Sequence, residues 1–84
     1  MLQICDVALP AVDAFALVDM LERVGRADDV TAAYIIERAV DRDELVAPLT
    51  QEERLAVLSV LDDPPSPCLA ELRGVLARDH RDRN

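Results

Sequence analysis

The chain has 84 residues, with 17 Asp and Glu against nine Arg and no Lys, for a net charge of −8. Apolar residues are 51% of it, yet Phe15 and Tyr34 are the only aromatics; Leu, Val and Ala fill 34 positions. Such a chain is too apolar for disorder throughout and too acidic to track a phosphate backbone. It also lacks the aromatic platforms on which bases or sugars stack.

At this length one small core is expected. No apolar run approaches the roughly 18–20 residues that cross a bilayer. The opening MLQICDVALP has no basic stretch and is interrupted by Asp6, so neither a signal peptide nor a membrane span is expected, and the cytoplasm is the expected location. A Cys5–Cys68 bridge would close a long loop, worth roughly 4 kcal/mol in the chain-entropy picture. In a reducing compartment both cysteines are instead expected to be free and to pack as small hydrophobes.

In chain order, LQICDVAL (Leu2–Leu9) is apolar and β-branched and predicts a short strand before Pro10. The segment AVDAFALVDMLERVG predicts a first helix, with Pro10 suited to its first turn and Gly25 as its stop. Its expected buried stripe is Ala11, Ala14, Phe15, Val18 and Leu21, flanked by Val12, Leu17, Met20 and Val24. A second helix follows from a cap at Asp28 or Asp29. Its apolar residues Val30, Ala33, Tyr34, Ile35, Ile36, Ala39 and Val40 exceed one stripe and predict the most buried helix of the fold.

ELVAPL (Glu44–Leu49) is a second candidate strand, which Pro48 restricts to an edge or a connector. Thr50-Gln51-Glu52-Glu53 reads as a capping box opening a third helix, with Leu55, Val57, Leu58 and Leu61 on its buried face. Asp62-Asp63-Pro64-Pro65 ends that helix. Ser66-Pro67 restarts one, as N-cap followed by proline at the first position, with Leu69, Leu72, Val75 and Leu76 on its apolar face. Residues 79–84 alternate Arg and Asp around His80 and are expected to fray. The fold class expected is mainly α: four short helices in a compact bundle with one or two short N-terminal or central strands. A β-α-α-β-α-α order fits, with strand pairing internal or completed across a dimer. Residues 1–78 form the single domain and 79–84 its charged tail.

Catalytic chemistry has little to build on. His80, the only histidine, lies in that tail, where no third group holds it as a base for Cys or Ser. Cys5, Cys68 and His80 are too scattered for a zinc site. Two glycines, Gly25 and Gly74, make no phosphate-cradling loop. The doublets Asp28-Asp29 and Glu52-Glu53 sit where helices start and their charge suits the dipole. Asp62-Asp63 belongs to a proline turn, and none has the alternating oxygens of a calcium loop. The expectation is a non-enzymatic protein with no metal and no cofactor.

Charge is unevenly spread. Residues 1–65 hold 14 acids and five Arg, and residues 66–84 hold three acids and four Arg. The acidic body disfavours nucleic acid and suits a basic partner. Wide apolar helix faces on so short a chain favour self-association, a homodimer first, or a partner protein.

Residues Leu2 to about Val40 resemble a ribbon-helix-helix module: an N-terminal strand ending in Leu9-Pro10, a helix, a Gly25-Arg26 turn, and a second helix with Ile35-Ile36-Glu37-Arg38-Ala39. Residues 49–76, LTQEERLAVLSVLDDPPSPCLAELRGVL, resemble the C-terminal part of TacA-type antitoxins, in which a helix and an LD-x-PP turn precede a short leucine helix. The same LDDPP…LAELRGVL run is similar to small bacterial proteins of uncharacterised role. The antitoxin resemblance implies a protein that neutralises a partner. Its docking element would be Pro64, Pro65, Leu69, Leu72, Arg73 and Leu76, with Arg73 as the charged anchor. Two alternatives stand beside it: a ribbon-helix-helix transcriptional regulator, and an acidic mimic of nucleic acid that inhibits a nucleic-acid enzyme.

Overall fold

Residues 2–9 fold back on themselves. Strand β1 (Leu2–Ile4) pairs antiparallel with β2 (Val7–Leu9), Leu2 opposite Leu9 and Ile4 opposite Val7. Cys5 and Asp6 form the two-residue turn, both with positive φ (50° and 66°). That is the twist a tight hairpin needs, and glycine or asparagine usually supplies it. The single strand expected here is therefore a hairpin. Its short Asp accepts the left-handed conformation, and Cys5 follows it without a glycine to mark the turn. Leu2, Ile4, Val7 and Leu9 face the core, while Gln3 and Ala8 face out.

The computed structural model describes residues 1–83, with side chains as far as Arg81. After the hairpin come α1 (Ala11–Val24), α2 (Ala27–Asp41), α3 (Gln51–Val60) and α4 (Pro67–Arg83). The fold is mainly α with short N-terminal strands, as the apolar spacing implied, but its order is β-β-α-α-α-α. Glu44–Leu49 supplies a single parallel bridge, Gln3 to Val46, instead of a second strand. The Gln3 N–H donates to the Leu45 carbonyl at 2.8 Å, and the Ala47 N–H donates to the Gln3 carbonyl at 3.1 Å. Pairing is thus completed within the chain.

The helix ends follow local chemistry closely. Pro10 caps α1, its carbonyl accepting from the Asp13 and Ala14 amides at 3.0 Å each. Gly25 closes α1 in the left-handed conformation (φ 74°). The Thr50 hydroxyl accepts from the Glu53 amide at 3.2 Å, and the Glu53 carboxylate accepts from the Thr50 amide at 2.8 Å, completing the expected capping box. The Ser66 hydroxyl accepts from the Leu69 amide at 3.2 Å, as an N-cap before Pro67 should. The start of α2 differs. Its N-cap is Arg26, and Asp29 sits one turn inside, its carboxylate accepting from the Arg26 amide at 3.2 Å.

One continuous core runs through all elements, from Leu2, Ile4 and Leu9 through Leu17, Leu21 and Ile36 to Val57, Leu61, Leu69 and Leu72. The α1–α2 hairpin packs most extensively, and α4 covers β2. The buried faces of α1 and α2 include Ala14, Ala32, Ala33 and Ala39, small residues that let helices approach closely. The Cα radius of gyration, 11.4 Å, matches the roughly 12 Å of a single-core chain of this length.

Two burial expectations are corrected. On α1 the buried line is Ala14, Leu17, Val18 and Leu21, which leaves Phe15 exposed. On α2, Val30 and Tyr34 are exposed, although with Asp29, Ala32, Ala33, Ile36 and Ala39 buried it has the most buried residues of any helix among the described residues. The tail residues as far as Arg83 are helical, since α4 continues past Arg78. Leu76, Asp79 and His80, at helical spacing, line one hollow with Gln51, Arg54 and Leu58 of α3, and that packing carries the helix onward. Asn84 lies outside the described residues.

Candidate functional site

The six residues expected to dock a partner are split by the fold. Leu69, Leu72 and Leu76 are fully buried and form the wall of the core that α4 contributes beneath β2. Pro64 is half-buried in the turn between α3 and α4; Pro65 and Arg73 are exposed. The leucine face is consumed in folding, so of the docking element read from residues 64–76 only Pro65 and Arg73 stand exposed.

The apolar surface lies elsewhere. Val12 and Phe15 stand on α1, three residues apart, and Val30 and Tyr34 on α2, four apart, so each pair shares a helix face. Phe15 is 47% and Tyr34 63% exposed, and these are the only Phe, Tyr or Trp side chains in the chain. Asp19, Glu22, Glu37 and Asp41, all exposed, share the same two helices. On α1 two apolar stripes overlap in the sequence. Nine apolar positions gave no single direction inward, and the small Ala14 was the residue that marked it.

The polar features form a second group. Asp29 is 0% exposed yet charged, and its oxygens accept from Arg26 Nε at 2.7 Å and Arg26 Nη2 at 3.4 Å as well as from the Arg26 amide. Arg26 Nη2 also donates to Ser59 Oγ of α3 at 2.9 Å. The hydrogen bond and charge of Asp29 hold the Arg26 guanidinium pKa above its ordinary value. The network fastens the α1–α2 turn to α3, beside a hollow of about 240 Å³ lined also by Asp28, Glu52 and Leu55.

The reactive groups do not converge. Cys5 is part-buried in the hairpin turn and lines a cleft of about 320 Å³ with Asp6, Arg54 and Asp79. Cys68 is part-buried in the first turn of α4. Burial pushes the Cys68 thiol up, and the Asp13 carboxylate, by its charge and as hydrogen-bond partner, pushes it further, with Glu71 adding to both. It is therefore a protonated thiol at neutral pH, a poor nucleophile. Cys5 and Cys68 are not joined in a disulfide. Among the described residues, no three of His, Cys, Asp and Glu gather as metal ligands, and no helix is long and apolar enough to cross a membrane.

Comparison of the chain with protein-family models, with curated proteins and with solved structures gives no match.

Proposed function

We propose that this chain is a non-enzymatic protein-binding module whose contact surface is the outer face of α1 and α2. The observation that carries this reading is the exposure of Phe15 and Tyr34, with Val12 and Val30, on two consecutive helices of a chain that has no other aromatic residue. Aromatic side chains give large contact area at little conformational cost and anchor protein interfaces. Exposed charges of both signs, Asp19 paired with Arg23 on α1 and Glu37 and Asp41 beside Arg38 and Arg42 around Tyr34, supply a polar rim. The neutralising, antitoxin-like role belongs to this reading as its more specific form, with the partner held on the helix face instead of on α4.

The experiment is a pair of charge insertions, Phe15→Asp and Tyr34→Asp, in the full chain. Molar mass by light scattering over a concentration series reports self-association. Co-expression with the protein encoded beside this one reports neutralisation. Loss of a dimer or of neutralisation in variants that keep native far-ultraviolet circular dichroism supports the helix face. Variants that dimerise or neutralise as well as the parent remove it.

A further inference from the structure

Tyr34 lines one hollow of about 280 Å³ with four charged residues, Glu37, Arg38, Asp41 and Arg42, all of them exposed. Their signs are sorted. A helix turns about 100° per residue, so Glu37 and Asp41 fall on one side of the line through Tyr34, and Arg38 and Arg42 on the other. The result is an acid row and an arginine row, each of like charges four residues apart, a spacing that disfavours a lone helix. Arg38 is only three residues from Asp41, yet among the described residues none of the four forms an ion pair within the chain. On α1 the comparable charges do pair: Arg23 Nη2 lies 2.9 Å from Asp19 Oδ2.

Such rows complement a second copy of themselves. A two-fold axis parallel to α2 sets the left flank of one helix against the right flank of the other. Two α2 helices running the same way therefore meet at Tyr34, with the acid row of each copy across from the arginine row of its mate. Running opposite ways, they would set acid beside acid and Arg beside Arg over residues 37–42. The four charges sum to zero on a chain of net charge −8, so like-charge repulsion between copies is locally absent. Toward the N-terminus the same line runs over exposed Ala27 and Val30, which carry no charge, and Tyr34 meeting Tyr34 supplies an aromatic pair.

We infer that a second copy of this chain occupies the helix face, by parallel packing of α2 on α2 about Tyr34, with Glu37 and Asp41 of each copy against Arg38 and Arg42 of the other. This rests on the helix-face reading and names its occupant.

The test uses the full chain. Sedimentation equilibrium is expected to show a dimer with a dissociation constant of about 10–500 µM, the weak range that a contact of one helix per copy permits. Arg38→Glu with Arg42→Glu is expected to weaken it at least about tenfold. The deciding variant exchanges the rows at constant composition: Glu37→Arg, Arg38→Glu, Asp41→Arg and Arg42→Asp together. It is expected to dimerise with itself as the parent does, but not with the parent, because acid row then meets acid row. Nitrogen-15-labelled parent reads this: its Tyr34 amide signal moves on adding unlabelled parent and stays at its dilute position on adding the exchanged variant. A parent that is monomeric at about 1 mM overturns the inference. So does a dimer that the double variant leaves intact, or an exchanged variant that pairs with the parent. An exchanged variant with native circular dichroism that fails to self-associate overturns it too. If the parent is monomeric and Tyr34→Asp still abolishes neutralisation, the helix-face reading survives and only this occupant falls. If Tyr34→Asp alters neither mass nor neutralisation, the helix face falls with it.

Discussion

Arg26 holds Asp29 from two directions: its backbone amide and its guanidinium both donate to one carboxylate that is closed off from solvent. A buried charge is tolerable only when its oxygens are satisfied. Here the satisfaction also starts α2 and, through Ser59, ties the turn to α3.

Asp29→Ala is therefore expected to destabilise the chain by about 1–3 kcal/mol, since it strands the α2 start and removes the carboxylate that holds Arg26 in place to reach Ser59. Ser59→Ala, at an exposed position, should stay within about 0.5 kcal/mol of the parent. Urea denaturation followed by circular dichroism separates the two. Equal small effects would mean that the carboxylate is not an organising group.

Leu72 and Arg73 are neighbours with opposite fates, one in the core and one in solvent. Leu72→Ala is expected to cost about 2–5 kcal/mol, the usual range for a buried leucine. Arg73→Ala should leave stability within about 0.5 kcal/mol. Thermal melts of both variants check this, and a Leu72→Ala protein as stable as the parent would put that leucine on the surface.

The Cys68 thiol gives a pH dependence with a definite sign. Its pKa is raised in the folded chain, so the neutral thiol favours folding. That contribution is fully present below the thiol's ordinary value near 9.0 and is lost as pH rises through the higher folded value. Melting temperature should fall above about pH 9 more steeply in the parent than in Cys68→Ala. Parallel curves for the two proteins would show that Cys68 does not couple to folding.

Most helix boundaries were legible because single residues dictate them. Gly25, the Thr50–Glu53 box and Ser66-Pro67 each act within one turn, and each acts as its chemistry requires. What was not legible depends on partners distant in sequence. The Cys5-Asp6 turn carries no glycine, and the register of Ile4 with Val7 appears only once both strands are in place. Leu69, Leu72 and Leu76 could serve a core or a partner equally well until β2 is seen beneath them. The direction of α1 was hidden for the same reason, because a wide apolar stripe has no inward side until α2 and α4 take theirs.

The packing of α4 on β2 also sets an order in time. β2 leaves the ribosome long before α4, the helix that covers it. A nascent chain carries an open hairpin until α4 has been made. Closure of the core is then expected to wait for α4, leaving the apolar hairpin dependent until that point on whatever shields it.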